Sequence, residues 1–172
     1  MTAPLASSPA VRAMGERLAG VAMNYVSDSA GRVRVEDYLT VLASMTGEAA
    51  IVASGVFDIE AGVITPGSAV FGDAINTILT GDSADEASLP PDSVLGILVA
   101  ELVPAVIPAD FLPPIEDLYR HVAATVGATA WGEVDTTVPA DNRPRVLPIR
   151  AAFEMRTAVE VTQQQAGLPI EQ

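Results

Sequence analysis

Between Pro9 and Tyr25 the apolar side chains Val11, Met14, Leu18, Val21 and Tyr25 recur at alternating spacings of three and four residues. Only a helix, with about 3.6 residues per turn, gathers positions so spaced onto one face. A strand, with its period of two, would scatter them. The pattern is also that of a heptad seam, but it is too short to require a coiled coil, and an ordinary core helix is the expected reading. Ser29-Ala30-Gly31 ends it.

The same spacing governs most of the chain. A second helix is expected over 35–54, with Val35, Tyr38, Leu39, Leu42, Met45, Ala49 and Val52 along one side. Glu36 and Asp37 fall in its first turn, where the helix dipole favours anions. The stretch 56–68 breaks the period and reads as a loop; Glu60-Ala61-Gly62 admits a short β-hairpin near 56–65. A third helix is expected to start at Gly67-Ser68, to carry Val70, Phe71, Ala74, Ile75, Ile78 and Leu79 on one face, and to close at Thr80-Gly81-Asp82. After an acidic linker, 81–91, the segment 92–103 is apolar all round and so is expected at the centre of the fold. Pro104, Pro108, Pro113 and Pro114 punctuate a turn-rich crossing. A fifth helix over 114–126 should turn Ile115, Leu118, Val122 and Val126 inward. An irregular arm, 131–144, leads to a last helix over 146–165. The expected fold is therefore mainly α, a single-domain bundle of five or six helices over 9–165. Residues 1–8 are expected to form a flexible tail, and 166–172 a C-terminal one.

Composition narrows the function classes. With 49% apolar and 18% charged residues in 172, the chain is too hydrophobic to be disordered as a whole. Against 22 acids stand nine cations, all Arg, giving a net charge of −13. Such a charge repels nucleic acid and anionic membrane surfaces, and neither is an expected partner. Along the chain the excess is even: 1–86 holds four Arg and eleven acids, 87–172 five Arg and eleven acids. The absence of Cys excludes disulfides, thiolate zinc sites and thiol catalysis, and a single His, His121, excludes imidazole-rich metal sites. A metal would need oxygen ligands, hence Mg²⁺ or Ca²⁺. The longest apolar stretch, 94–108, contains Glu101 and two prolines and falls short of the ~18–20 residues of a membrane span. No signal-peptide pattern opens the chain, and a cytoplasmic location is expected.

Four constellations merit weighing. Gly67 and Gly72 have the interval of a phosphate-binding loop, but Asp73 and Ala74 stand where it needs Lys and Ser or Thr. Asp73 would set a negative charge beside the anion, so a helix start is the better reading. Asp73 and Asn76, three apart on the polar side of that helix, form a solvated face or, with Asp58 and Glu60, an oxygen-ligand cluster. The linker acids Asp82, Asp85 and Glu86 do not fit a calcium loop. Asp117 and His121 lie four apart on the polar side of the fifth helix, as do Glu116 and Arg120. Surface ion pairs explain both, and no G-x-S-x-G elbow supplies a nucleophile for a triad.

The arginines Arg143, Arg145, Arg150 and Arg156 crowd into fourteen residues. Arg150–Glu154 and Arg156–Glu160 have ion-pair spacing, and Arg156 sits toward the apolar side, against a carboxylate. The patch forms internal salt bridges or meets a partner subunit's acidic surface, or else makes an anion pocket with Trp131 as its apolar wall. The expected ligand-contacting set is Asp73, Asn76, Trp131, Arg143 and Arg145, with no cofactor, metal or catalytic residue assigned. These features point to a non-enzymatic helical interaction or regulatory module that self-associates or binds another protein. The alternative is a small-ligand binder or hydrolytic enzyme using oxygen-ligated Mg²⁺ or Ca²⁺, with Asp58, Asp73, Asn76 and Arg145 near its site.

Overall fold

The computed structural model describes residues 9–55, 73–81, 89–90, 92–102, 114–125, 128–129 and 139–167. The protein is mainly α. Its helices are α1 (Pro9–Val26), α2 (Val35–Ser54), α3 (Asp73–Thr80), α4 (Val94–Leu102), α5 (Ile115–Thr125) and α6 (Pro148–Gln165). A short 3-10 turn spans Ala140–Asn142, and no strand occurs among the described residues. The hairpin expected near 56–65, the helix start at Gly67-Ser68 and the proline crossing before Pro114 lie outside the described residues. The chain folds into two compact units: Met1–Ala49 together with Thr136–Gln172, and Ala50–Asp135.

In the first unit α1, α2 and α6 share a core of Ala22, Val41, Met45, Ala151 and Met155. The expected stripe of α1 faces inward here: Leu18, Val21 and Tyr25 pack against that core, joined by Tyr38, Leu42 and Val159. Two cross-ties set the direction of α6 against α1. Tyr25 bonds to Glu154, and Arg17 to Gln165, so a later residue of α1 meets an earlier one of α6. The pair is antiparallel. Between α2 and α6 the order is the other way: Asp37 meets the backbone at Arg145 and Val146, and Glu48 meets Arg156. These two helices run parallel, so no tight turn could join them, and a long crossover is required.

The face of α2 that turns inward departs from expectation. Tyr38, Leu42 and Met45 are inside, as the stripe predicted, but Val35, Leu39 and Val52 are exposed, while Val41 and the charged Asp37 are buried. The helix is rotated toward Asp37 because the carboxylate has partners to reach, set out below.

The second unit holds α3, α4 and α5, with Ile75 buried on α3. Pro90 is wedged between α3 and α4. Gly81, at φ 62°, ends α3, and a Cβ there would overlap the Pro90 ring. On the other side, a Cβ at Gly96 would overlap the Pro90 carbonyl oxygen. That oxygen also accepts from the Ser93 amide at 3.0 Å and the Ser93 hydroxyl at 2.8 Å. The Ser93 hydroxyl in turn accepts from the Gly96 amide at 3.0 Å, capping one of the free N–H groups that open α4. From the end of α3, Thr80 lies 3.4 Å from the Tyr119 hydroxyl of α5.

This arrangement corrects the expected central position of 92–103. Gly96 is the inward side of α4, while Ile97 is 38% and Leu98 45% exposed. An all-apolar helix can be central only where neighbours surround it, and a nine-residue helix seated by one glycine leaves its opposite face open. Val122 of α5, expected inward, is likewise exposed. The side chains of Ile115 and Leu118, and the whole of Val126, lie outside the described residues.

The wedge makes two substitutions informative. Ser93→Ala removes the cap and is expected to destabilise by about 1 kcal/mol. Gly96→Ala, which improves helix propensity elsewhere, should here cost about 1–3 kcal/mol because the methyl group meets backbone rather than a movable side chain. Urea unfolding of the two variants checks both; a neutral Gly96→Ala would mean that Pro90 does not hold α3 against α4.

Candidate functional site

The most developed polar site joins the start of α2 to the arm before α6. Asp37 is 7% exposed, in the first turn of its helix. Its Oδ1 accepts from the backbone amide of Arg145 at 2.6 Å and from that of Val146 at 3.4 Å. Arg34, one turn earlier, donates through Nη2 to the carbonyl oxygens of Asp141, at 2.8 Å, and Arg143, at 3.2 Å. Its Nε stands 3.7 Å from both Glu36 and Asp37. That buried nitrogen has no hydrogen bond among the described residues, so the two carboxylates hold it by charge alone. Together Arg34 and Asp37 grip the main chain of 141–146 rather than its side chains.

A second pair fixes the register further along. Arg156 on α6 donates through Nε to Glu48 Oε1 at 2.8 Å and through Nη2 to the same oxygen. Both side chains are largely buried, which fulfils the expectation that Arg156 would lie against a carboxylate. That carboxylate is Glu48, 108 residues away on α2. Arg150 and Glu154 do make the expected pair along α6, at 2.7 Å. The Tyr25 hydroxyl donates to Glu154 at 2.5 Å, so a tyrosine, a carboxylate and a guanidinium form a ladder across α1 and α6.

Four of the five expected ligand-contacting residues, Asp73, Asn76, Arg143 and Arg145, are among the described residues. Arg143 and Arg145 are exposed on the gripped arm, where the Arg143 carbonyl accepts from Arg34 and the Arg145 amide donates to Asp37. Trp131 lies outside the described residues, as do Asp58 and Glu60. Asp73 is the exposed first residue of α3, and Asn76 is half-buried on the next turn. They belong to the second unit, whereas Arg143 and Arg145 belong to the first. Among the described residues no three His, Asp or Glu gather as ligands for a metal ion. On α5, Arg120 pairs with Glu116 at 3.2 Å and also with Asp117, the carboxylate expected to face His121.

The even distribution of charge along the chain conceals a division between the two units. The first contains eight of the nine Arg and nine acids, a net of −1. The second contains Arg120 alone against thirteen acids, a net of −12. Halving the chain in sequence cannot reveal this, because the first unit is assembled from both chain ends. Among the described residues no helix is long and apolar enough to cross a membrane. No protein family, curated protein or solved structure matches this chain.

Two tests follow from the first unit. Asp37→Ala leaves the Arg145 and Val146 amides without their acceptor and Arg34 short of a counter-charge, so a loss of about 2–3 kcal/mol is expected. Asp37→Asn keeps an acceptor oxygen and should cost less. Denaturant midpoints rank the two, and hydrogen exchange at Arg145 should rise in the alanine variant first; equal midpoints for all three proteins would overturn the role given to Asp37.

The ladder predicts a pH window. Burial first, then the Glu154 hydrogen bond, raises the Tyr25 pKa above the ordinary value. The Tyr25 hydroxyl first, then Arg150, holds the Glu154 carboxyl below its ordinary value. A lowered carboxyl contributes stability that is complete above the ordinary glutamate value and is lost as pH falls through the lowered one. A raised phenol contributes stability that is complete below the ordinary tyrosine value and is lost as pH rises through the raised one. Between those limits the ladder is intact. Following the Tyr25 ring carbon by NMR should give a midpoint above that of free tyrosine, moving partway down in Glu154→Gln; an unmoved midpoint would remove Glu154 as a cause.

Proposed function

We propose that the protein is a non-enzymatic interaction or regulatory module, and that it self-associates through its first unit. The observation that carries this reading is an apolar surface on a nearly neutral body. Val35 and Leu39 of α2 are 63% and 57% exposed, and Leu147, which follows the arm gripped by Asp37, is 57% exposed. Val35 and Leu39 lie four residues apart on one helical face, the spacing at which a partner meets them together. A net charge of −1 on this unit offers little repulsion to a second copy. The gripped arm adds main-chain rigidity where a partner would dock, which limits the ordering cost of association.

The test is sedimentation velocity on the wild type and on a Val35→Ser/Leu39→Ser/Leu147→Ser variant, with circular dichroism to confirm that both are folded. The expected result is a wild-type oligomer and a folded monomeric variant. A wild type that stays at the 17.8 kDa monomer at every concentration would overturn self-association. A native mass spectrum taken beside it reads the rival: added mass that is lost on denaturation would turn the reading toward a ligand-binding protein.

A further inference from the structure

The second unit has an open apolar face set in a strongly anionic body, and the two facts together specify what would cover it. Gly96 seats α4 against Pro90, which leaves Ile97 and Leu98 on the opposite side, both exposed. Asp92, just before the helix, is exposed as well. Thirteen acids and one Arg make up the charge of this unit. Arg120, the one cation, is already paired with Glu116 and Asp117 on its own helix. The sequence of this unit contains no second Arg and no Lys.

We propose that the Ile97–Leu98 face of α4 binds a cationic amphipathic segment of a partner protein, apolar on one side and rich in Arg or Lys on the other. This deepens the interaction-module reading and rests on it, while naming a different unit and a different partner from the self-associating surface. Charge selects the occupant. A second copy would bring another −12 unit or a −1 unit, neither of which supplies net positive charge. Nucleic acid and anionic lipid are repelled. A neutral apolar segment could cover Ile97 and Leu98 but would leave the unit's net charge of −12 unrelieved. A cationic amphipathic helix satisfies both requirements: two apolar anchors desolvate the centre, and rim charges steer and orient the approach.

The experiment uses the full chain and two labelled peptides of about 18 residues, or about five helical turns. One alternates Leu and Lys at helical spacing; the other replaces each Leu by Ser and keeps the charge. Fluorescence anisotropy at about 0.15 M salt is expected to show the Leu/Lys peptide binding roughly tenfold or more tightly than the Ser/Lys peptide. In the Ile97→Ala/Leu98→Ala variant, chosen because alanine keeps the helix, that preference should shrink at least several-fold while Ser/Lys binding is unchanged.

Equal binding of the two peptides by the wild type would overturn the proposal without any variant. So would a preference that the double variant leaves intact. If the double variant instead becomes monomeric where the wild type is an oligomer, a second copy covers α4 and the proposal falls. Failure here with oligomerisation preserved through α2 leaves the module reading standing. A monomeric wild type that still prefers the Leu/Lys peptide does the reverse, ending self-association while keeping this site.

Discussion

A buried carboxylate at position 37 governs how this chain closes on itself. α2 and α6 lie parallel in one core, so the chain must travel far between them and return in register. Hydrophobic burial alone sets that return loosely, since Ala, Val and Met can slide past one another at little cost. Hydrogen bonds do not slide. Asp37 takes the amides of Arg145 and Val146, Arg34 takes two carbonyls of the same arm, and Glu48 takes Arg156 ten residues further on. Burying such groups gains little net energy, but leaving any one unsatisfied costs several times more than it gains when paired, so the network selects one register against its neighbours.

The network also explains why the α2 stripe was only partly legible. Read along the helix, Val35, Leu39 and Val52 look like core and Asp37 like a solvated first-turn acid. The burial of Asp37 goes with Arg145 and Val146, which lie 108 and 109 residues away and offer backbone groups that no side-chain pattern announces. The extent of α2 and the inward stripe of α1 needed only local periodicity and were plain in the sequence. The Arg150–Glu154 pair needed only helical spacing and was equally plain. Arg156 was readable halfway: its place on the wheel implied a buried counter-ion, but the wheel could not say that the ion stood on another helix.

The open face of α4 was missed for a related reason. Apolar residues all round a short helix imply complete burial only when there is enough surrounding structure, and nothing in the periodicity marks Gly96 as the side that meets Pro90. Gly96 is inward because Pro90 approaches it too closely for a methyl group, which orients Ile97 and Leu98 outward. Of the ligand-contacting set, the sequence brought five residues together by residue type alone. Which compact unit each described member belongs to depends on the contacts of the whole chain, as does the division of charge between the units.

That division bears on which unit can meet its own copy. Two bodies of −12 with centres ~20 Å apart would repel by about 30 kcal/mol in unscreened water, and a Debye length of ~8 Å reduces this to ~2 kcal/mol. The same geometry for two bodies of −1 leaves less than ~0.1 kcal/mol. A penalty of ~2 kcal/mol is more than a tenfold loss of affinity, comparable with what burying one exposed leucine returns. By this measure the near-neutral unit is the less costly surface for self-association. On this argument self-association and partner binding use different surfaces and need not compete. Added salt should weaken the second while leaving the first unchanged or slightly stronger.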